Sequence, residues 1–566
     1  MQFSAVAQFG LLAQNPLSSH NAVSLTPTVN LSDYGVFSGV KISEALSGSS
    51  LPAVVDGWLG IDYALQPVGQ RRFRPVEHRP SAFNGTRPAE SYGNACIQDP
   101  IYTTGQVQDE ACLNFNVYRT SGIPVEEKLP TLVWIHGGSF VLGSGRSFDG
   151  ASFVASSKLS IAVVTFNYRL NSLGFLPSKL FEEEGLLNLG LRDQHFMLKF
   201  LQDHLESFGG DPKQITLGGR SAGAHSTGIH YFHNYGEDED KPLLARAIFQ
   251  SGSVTARAFP DIDFPQYKQD FERYMRYLNC PTGGRNEGDN ALALDCLRRA
   301  PIDDIRNISA KIYAEAEQTL SWPFQPTLGG ALLERPGSKS GAEGTFHHLP
   351  AITSYVTDEG KYYTPAIHHT NDDFLSFIHA MSPYLNYTDI ALLNELYPDP
   401  TRHPNSPWAN SPNSTQYNRL SAAWSDMAYI CPSRETAFRT STAGVPTWRL
   451  HFNTPNHPLE YQVWRGIPHT SDSAYAYDSP KVPFPQTAHI YHAYLASFVA
   501  TGNPNSARLE GTPEWPQYHA SETCLADRPK QLIINPGVYT TVEEDSVRID
   551  QCEFWNDLDR AKRLNK

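Results

Sequence analysis

The chain has 566 residues, of which 40% are hydrophobic and 18% charged, and a formal net charge of −14. That apolar content can fill a large core, and it excludes a disordered chain. An acidic chain whose one short basic cluster is Arg71-Arg72-Phe73-Arg74, read as a solvated or ion-paired loop, is a poor partner for nucleic acid, and no stretch approaches the about 20 apolar residues of a membrane helix.

From the N-terminus, Met1 to Asn15 is mildly apolar, lacks a basic start and is interrupted by Gln8, so residues 1–28 read as a leader or candidate signal segment. N-glycosylation acceptor patterns at Asn30, Asn84, Asn307, Asn386 and Asn413 are about as many as chance gives in a chain rich in Asn, Ser and Thr. Leu129 to His136 and Ser160 to Tyr168 are apolar runs too short for helices, hence buried strands. Leu191 to Phe208 carries apolar residues at helical spacing and stops at Gly209-Gly210. Gln214–Gly218, Ala245–Gln250, Leu349–Val356 and Val445–Phe452 complete the expected core strands. Strands without alternation, mixed with helices, predict an α/β fold around a mostly parallel sheet. Length alone suggests about two to four domains.

Gly219-Arg220-Ser221-Ala222-Gly223 is a GxSxG directly after the strand Gln214–Gly218 and before a helix opening. In that setting it reads as a nucleophile elbow, with Ser221 on a strained turn. His136-Gly137-Gly138-Ser139-Phe140 follows the strand Leu129–Ile135 and matches an oxyanion loop: the N–H groups of Gly137, Gly138 and Ala222 would face a developing oxyanion. His136 itself reads as structural. A serine hydroxyl needs a base held by an acid. Among 20 histidines, His469 sits in a Gly/Pro loop after the strand Val445–Phe452, whereas His225 and His230 fall on the helix leading away from Ser221. The acid lies at the end of Leu349–Val356, where the chemistry alone leaves Asp358 and Glu359 open.

These residues resemble the type-B carboxylesterase family, the cholinesterase-like branch of the α/β-hydrolases. The resemblance runs from about Val29 to Trp555. It includes Gly60-Ile61-Asp62-Tyr63-Ala64, Glu110-Ala111-Cys112-Leu113-Asn114, Asn167-Tyr168-Arg169, Phe208-Gly209-Gly210-Asp211-Pro212 and Gln250-Ser251-Gly252-Ser253. It implies an α/β-hydrolase fold, with residues 29–566 as one domain bearing helices on both sheet faces and long loop insertions. It further implies Ser221, Glu359 and His469 as catalytic residues, Gly137, Gly138 and Ala222 as oxyanion donors, and Ser251 as a partner of the acid–histidine pair. Of the seven cysteines, Cys96–Cys112 and Cys280–Cys296 match two family disulfides, leaving Cys431, Cys524 and Cys552 unassigned. No metal or cofactor is implied, and the expected partner is a small ester.

The chain departs from the family at Ala111, Ser139, the run Pro326-Thr327-Leu328-Gly329-Gly330 and, beside the nucleophile, Arg220. These departures suggest a divergent, fungal-type branch. A buried arginine at position 220 would disfavour an imidazolium unless a carboxylate pairs with it. Arg220 is therefore expected to favour anionic esters. Residues 310–345 and 365–420 are the expected pocket loops. The function expected is ester hydrolysis through an acyl-enzyme; acyl transfer by the same residues and a non-catalytic binding protein are the alternatives. The expected location is the secretory pathway, with the cytoplasm as the alternative.

Overall fold

The computed structural model describes residues 26–78, 83–102, 105–233, 242–284, 286–317, 321–456, 463–520 and 528–566. Most of the leader segment and Cys524 lie outside these residues.

Eleven strands form the main sheet: β1 (Val40–Glu44), β2 (Ser50–Asp62), β3 (Asn114–Thr120), β4 (Leu129–Ile135), β5 (Ala162–Phe166), β6 (Gly210–Arg220), β7 (Arg246–Gln250), β8 (Ala351–Val356), β9 (Thr447–Phe452), β10 (Lys530–Ile534) and β11 (Thr540–Glu544). Their spatial order is β11-β10-β9-β8-β7-β6-β4-β5-β3-β2-β1. From β10 across to β5 the neighbours are parallel, while β1, β2, β3 and β11 are antiparallel. Val133 and Ile135 of β4 join one apolar cluster, and Leu132 and Trp134 of the same strand join the other. Alternate side chains of a strand point to opposite faces, so both faces of this sheet are covered.

Every core strand expected from an apolar run is present, and β1, β2, β3, β10 and β11 are added. β2 was hidden because its first half is largely exposed and contains Pro52, so it has no sustained apolar run. The expected helix forms as α1 (Leu189–His204), and its continuation Leu205–Phe208 tightens to a 3-10 turn closed by Gly209 at φ 72°. A long helix over Tyr417–Thr442 changes to π geometry at Asp426–Ile430, just ahead of Pro432. Proline supplies no N–H and its ring crowds the preceding turn, so the ladder must rearrange there.

Disulfides join Cys96 to Cys112, Cys280 to Cys296 and Cys431 to Cys552. The third encloses the longest loop, with a sequence separation of 121. By chain entropy such a loop contributes about 4–5 kcal/mol. In the short basic cluster, Arg72 is buried and its guanidinium grips both oxygens of Glu110, at 2.5 and 2.6 Å. With alanine at position 111, the neighbouring glutamate supplies the counter-charge beside the first disulfide.

Candidate active site

Ser221 stands between the last residue of β6 and the first of α2 (Ala222–Phe232), at φ 57° and ψ −127°. This conformation is costly for a residue with a Cβ and is held by its surroundings. The Ser221 N–H donates to the Gln250 carbonyl at 3.0 Å, and its carbonyl accepts from the His225 N–H at 2.9 Å. The flanking glycines are demanded by close approach. A Cβ on Gly219 would lie 2.4 Å from the Gly223 backbone, and one on Gly223 would lie 2.0 Å from the Ile135 carbonyl oxygen. The turn therefore packs directly on the end of β4.

The loop after β4 lies against that turn. A Cβ on Gly137 would sit 2.6 Å from the Arg220 carbonyl oxygen and 3.1 Å from the Ser221 Cβ. Ser139 and Phe140 continue the loop at positive φ, and the N–H groups of Val141 and Leu142 fold back to the Gly138 carbonyl. Among the described residues, the N–H groups of Gly137, Gly138 and Ala222 have no hydrogen-bond acceptor. His136 stacks on Tyr168, 4.4 Å between ring centres, and burial pushes its pKa down to about 4. It is a neutral packing residue, in line with its structural reading.

His469 and Glu359 come from the loops after β9 and β8. The Asp358 N–H donates to the Ile467 carbonyl at 2.9 Å, and its carboxylate accepts from the Ile467 N–H at 3.0 Å. Asp358 also pairs with Lys361 at 3.0 Å. Asp358 thus ties one loop to the other, while Glu359, 0% exposed, hydrogen-bonds His469 Nδ1 through Oε2. Its Oε1 accepts from the Val356 N–H at 2.9 Å. The two carboxylates left open by sequence chemistry have separate jobs: one clasps loops, the other contacts the histidine.

The structure separates the remaining site expectations. Ser251 is buried beside the elbow, but its hydroxyl hydrogen-bonds to none of the described residues, so it is not a hydrogen-bonded partner of the Glu359–His469 pair. His225 and His230 are fully buried on α2, where burial holds both pKa values well below normal. Arg220 pairs in register with Gln250, whose side-chain amide donates to the Tyr491 hydroxyl at 2.7 Å. Asp472, three positions after His469, is a buried carboxylate within electrostatic reach of Arg220. Burial pushes its pKa up to about 7, with attraction to Arg220 opposing and repulsion from Glu359 adding.

Sequence reasoning also missed an aromatic wall. Tyr429, carried by the π segment, lies 4.4 Å from the His469 ring, and Tyr363 lies 5.4 Å from it. The Tyr429 hydroxyl lies beside the hydroxyls of Ser221 and Tyr363. Tyr313 and Trp322 extend this wall from the expected pocket loop 310–345, while Tyr363 and Tyr429 flank the loop 365–420 on either side. With 27 tyrosines in the chain, no sequence signal singles these out, although Asp472 could have been found by its closeness to His469.

Residues 26–555 match the carboxylesterase family. The chain is 54% identical to secreted lipase 4 of Gibberella zeae over 98% of both chains. It is 29% identical to secreted lipase 1 of Botryotinia fuckeliana, covering 82% of this chain and 84% of that one. It is 25% identical to an acetylcholinesterase of Danio rerio, covering 90% and 86%. The crystal structure of Aspergillus niger EstA superposes with a TM-score of 0.80 at 26% identity, over 96% of this chain and 99% of the other.

Proposed function

The chain belongs to the carboxylesterase family and is a carboxylic-ester hydrolase of α/β-hydrolase fold, and we propose that it cleaves its ester through an acyl-enzyme formed on Ser221. The observation that carries this reading is the buried hydrogen bond from His469 Nδ1 to Glu359, with Ser221 on a strained turn beside the same aromatic wall. With Nδ1 protonated toward Glu359, the Nε2 lone pair of His469 takes the serine proton. Glu359 holds that tautomer and stabilises the imidazolium. The N–H groups of Gly137, Gly138 and Ala222 receive the oxyanion, and losing one such donor costs about 3–4 kcal/mol of transition-state stabilisation. His469 then returns its proton to the leaving alcohol, and water releases the acid by the same steps.

Two relatives are named as secreted lipases, which supports secretion of this chain with residues 1–28 as leader. An eleven-stranded main sheet with a core on each face supports residues 29–566 as one domain.

The test is turnover of short-chain aryl esters, with fluorophosphonate labelling of the serine. Ser221→Ala is expected to lose labelling and to lower kcat at least roughly a thousandfold. Undiminished turnover by that variant would refute the acyl-enzyme.

A further inference from the structure

We propose that Arg257 is an anion-recognition residue of the ester-binding site, selecting esters that carry a carboxylate near the scissile carbonyl. This rests on Ser221 being the nucleophile, since it is the surroundings of Ser221 that bring Arg257 to the substrate.

Arg257 follows β7 and is 2% exposed. Its guanidinium lies 3.7 Å over the Trp322 ring and 5.8 Å from the centre of the Phe140 ring, the residue that ends the oxyanion loop. Its one hydrogen bond is long, from Nη1 to Gln325 Oε1 at 3.5 Å. Nε and Nη2 hydrogen-bond to none of the described residues, and among those residues no carboxylate lies within ion-pair distance. Its electrostatic neighbours are Tyr429, Tyr363, Tyr313 and Tyr267, the first two being the rings packed on His469, and it also repels a proton from His225 on α2.

Burying a cation with open donors is expensive unless something completes its shell. Trp322 supplies part of that shell as a cation–π platform. The open N–H groups call for an anionic acceptor, and a carboxylate fits a guanidinium with two parallel bonds in a site of low dielectric. Arg220, expected from the sequence to select anionic esters, has the Asp472 carboxylate within electrostatic reach, whereas the electrostatic neighbours of Arg257 are tyrosines. The selecting charge is the arginine set among aromatic rings.

The experiment compares matched aryl esters. In one pair the acyl group ends in a carboxylate or a neutral isostere; in the other the alcohol group does. The wild type, Arg257→Met and Arg257→Lys are assayed for kcat and KM, with melting temperature and labelling by a neutral fluorophosphonate as checks on the fold. The wild type should favour the anionic member of one pair by roughly tenfold or more. Arg257→Met should erase that ratio, mainly through KM, and Arg257→Lys should keep part of it. The pair that shows the ratio identifies the acyl or alcohol side. A wild type preferring the neutral member of both pairs overturns the proposal, as does an equal fall for both members in Arg257→Met. If Arg257→Met does not fold, inhibition of the wild type by a product carboxylate, against its amide, decides: equal inhibition overturns it. Failure of the acyl-enzyme itself would appear separately, as turnover surviving in Ser221→Ala whatever the charge preference.

Discussion

Arg169 and Arg257 are equally buried, at 3% and 2% exposure, yet they are treated in opposite ways. Arg169, after β5, is fully met. Asp193 of α1 takes its Nε at 2.8 Å and its Nη2 at 2.6 Å, and the Arg74 carbonyl takes Nη1 at 2.7 Å. Arg449 on β9 and Arg434 share the Asp545 carboxylate as a counter-charge. Arg257, in contrast, rests on a tryptophan ring with donors open. The difference separates scaffold from site. A guanidinium whose every bond is made can only hold the fold together, whereas one left incomplete can still gain from a ligand.

Three substitutions would break or sharpen that contrast. The largest effect belongs to the site. Glu359→Gln removes the carboxylate charge that meets His469 Nδ1 and, on the proposed mechanism, is expected to lower kcat by roughly a thousandfold or more. Steady-state kinetics read the loss, and thermal denaturation should shift far less than kcat does. The scaffold counterpart is Asp193→Ala, which strands the Arg169 charge and should cost about 3–5 kcal/mol of stability. Denaturant unfolding measures it, and the ratio of anionic to neutral ester turnover should stay as in the wild type. A changed ratio would dissolve the distinction between the two arginines.

The smallest effect is a slope. Burial raises the Asp472 carboxyl from its ordinary value of 3.8 to about 7 in the folded protein, disfavouring its charge more than Arg220 favours it. The folded state therefore holds a proton that the unfolded state releases, so its contribution is present below pH 3.8 and is lost as the pH rises toward 7. Arg220, Glu359, Gln250 and Tyr491 face this group. Asp472→Asn should flatten the decline in melting temperature across that window; an unchanged decline would mean that Asp472 is ionised throughout.

Much of this was legible in the sequence because it is local. The central strands announced themselves as unbroken apolar runs, since both of their faces are buried. The turn at Ser221 and the glycine loop after β4 were legible because backbone is pressed on backbone there, and only glycine fits at 137, 219 and 223. The antiparallel edge was less legible, since half-exposed strands such as β2 dilute the apolar signal.

The sequence by itself determined the fold class and the strand ends that carry Ser221, the adjacent pair Asp358 and Glu359, and His469. Only the tertiary structure decided what the charges do. It alone showed that Asp358 clasps a loop while Glu359 meets the histidine, that Asp472 lies within electrostatic reach of Arg220, and that Arg257 is surrounded by tyrosines. The reason is physical: turns and strands follow from neighbours in the chain, but a buried charge is defined by what lies across space from it. Asp472 is 252 positions from Arg220 in the chain, and Trp322 is 65 from Arg257.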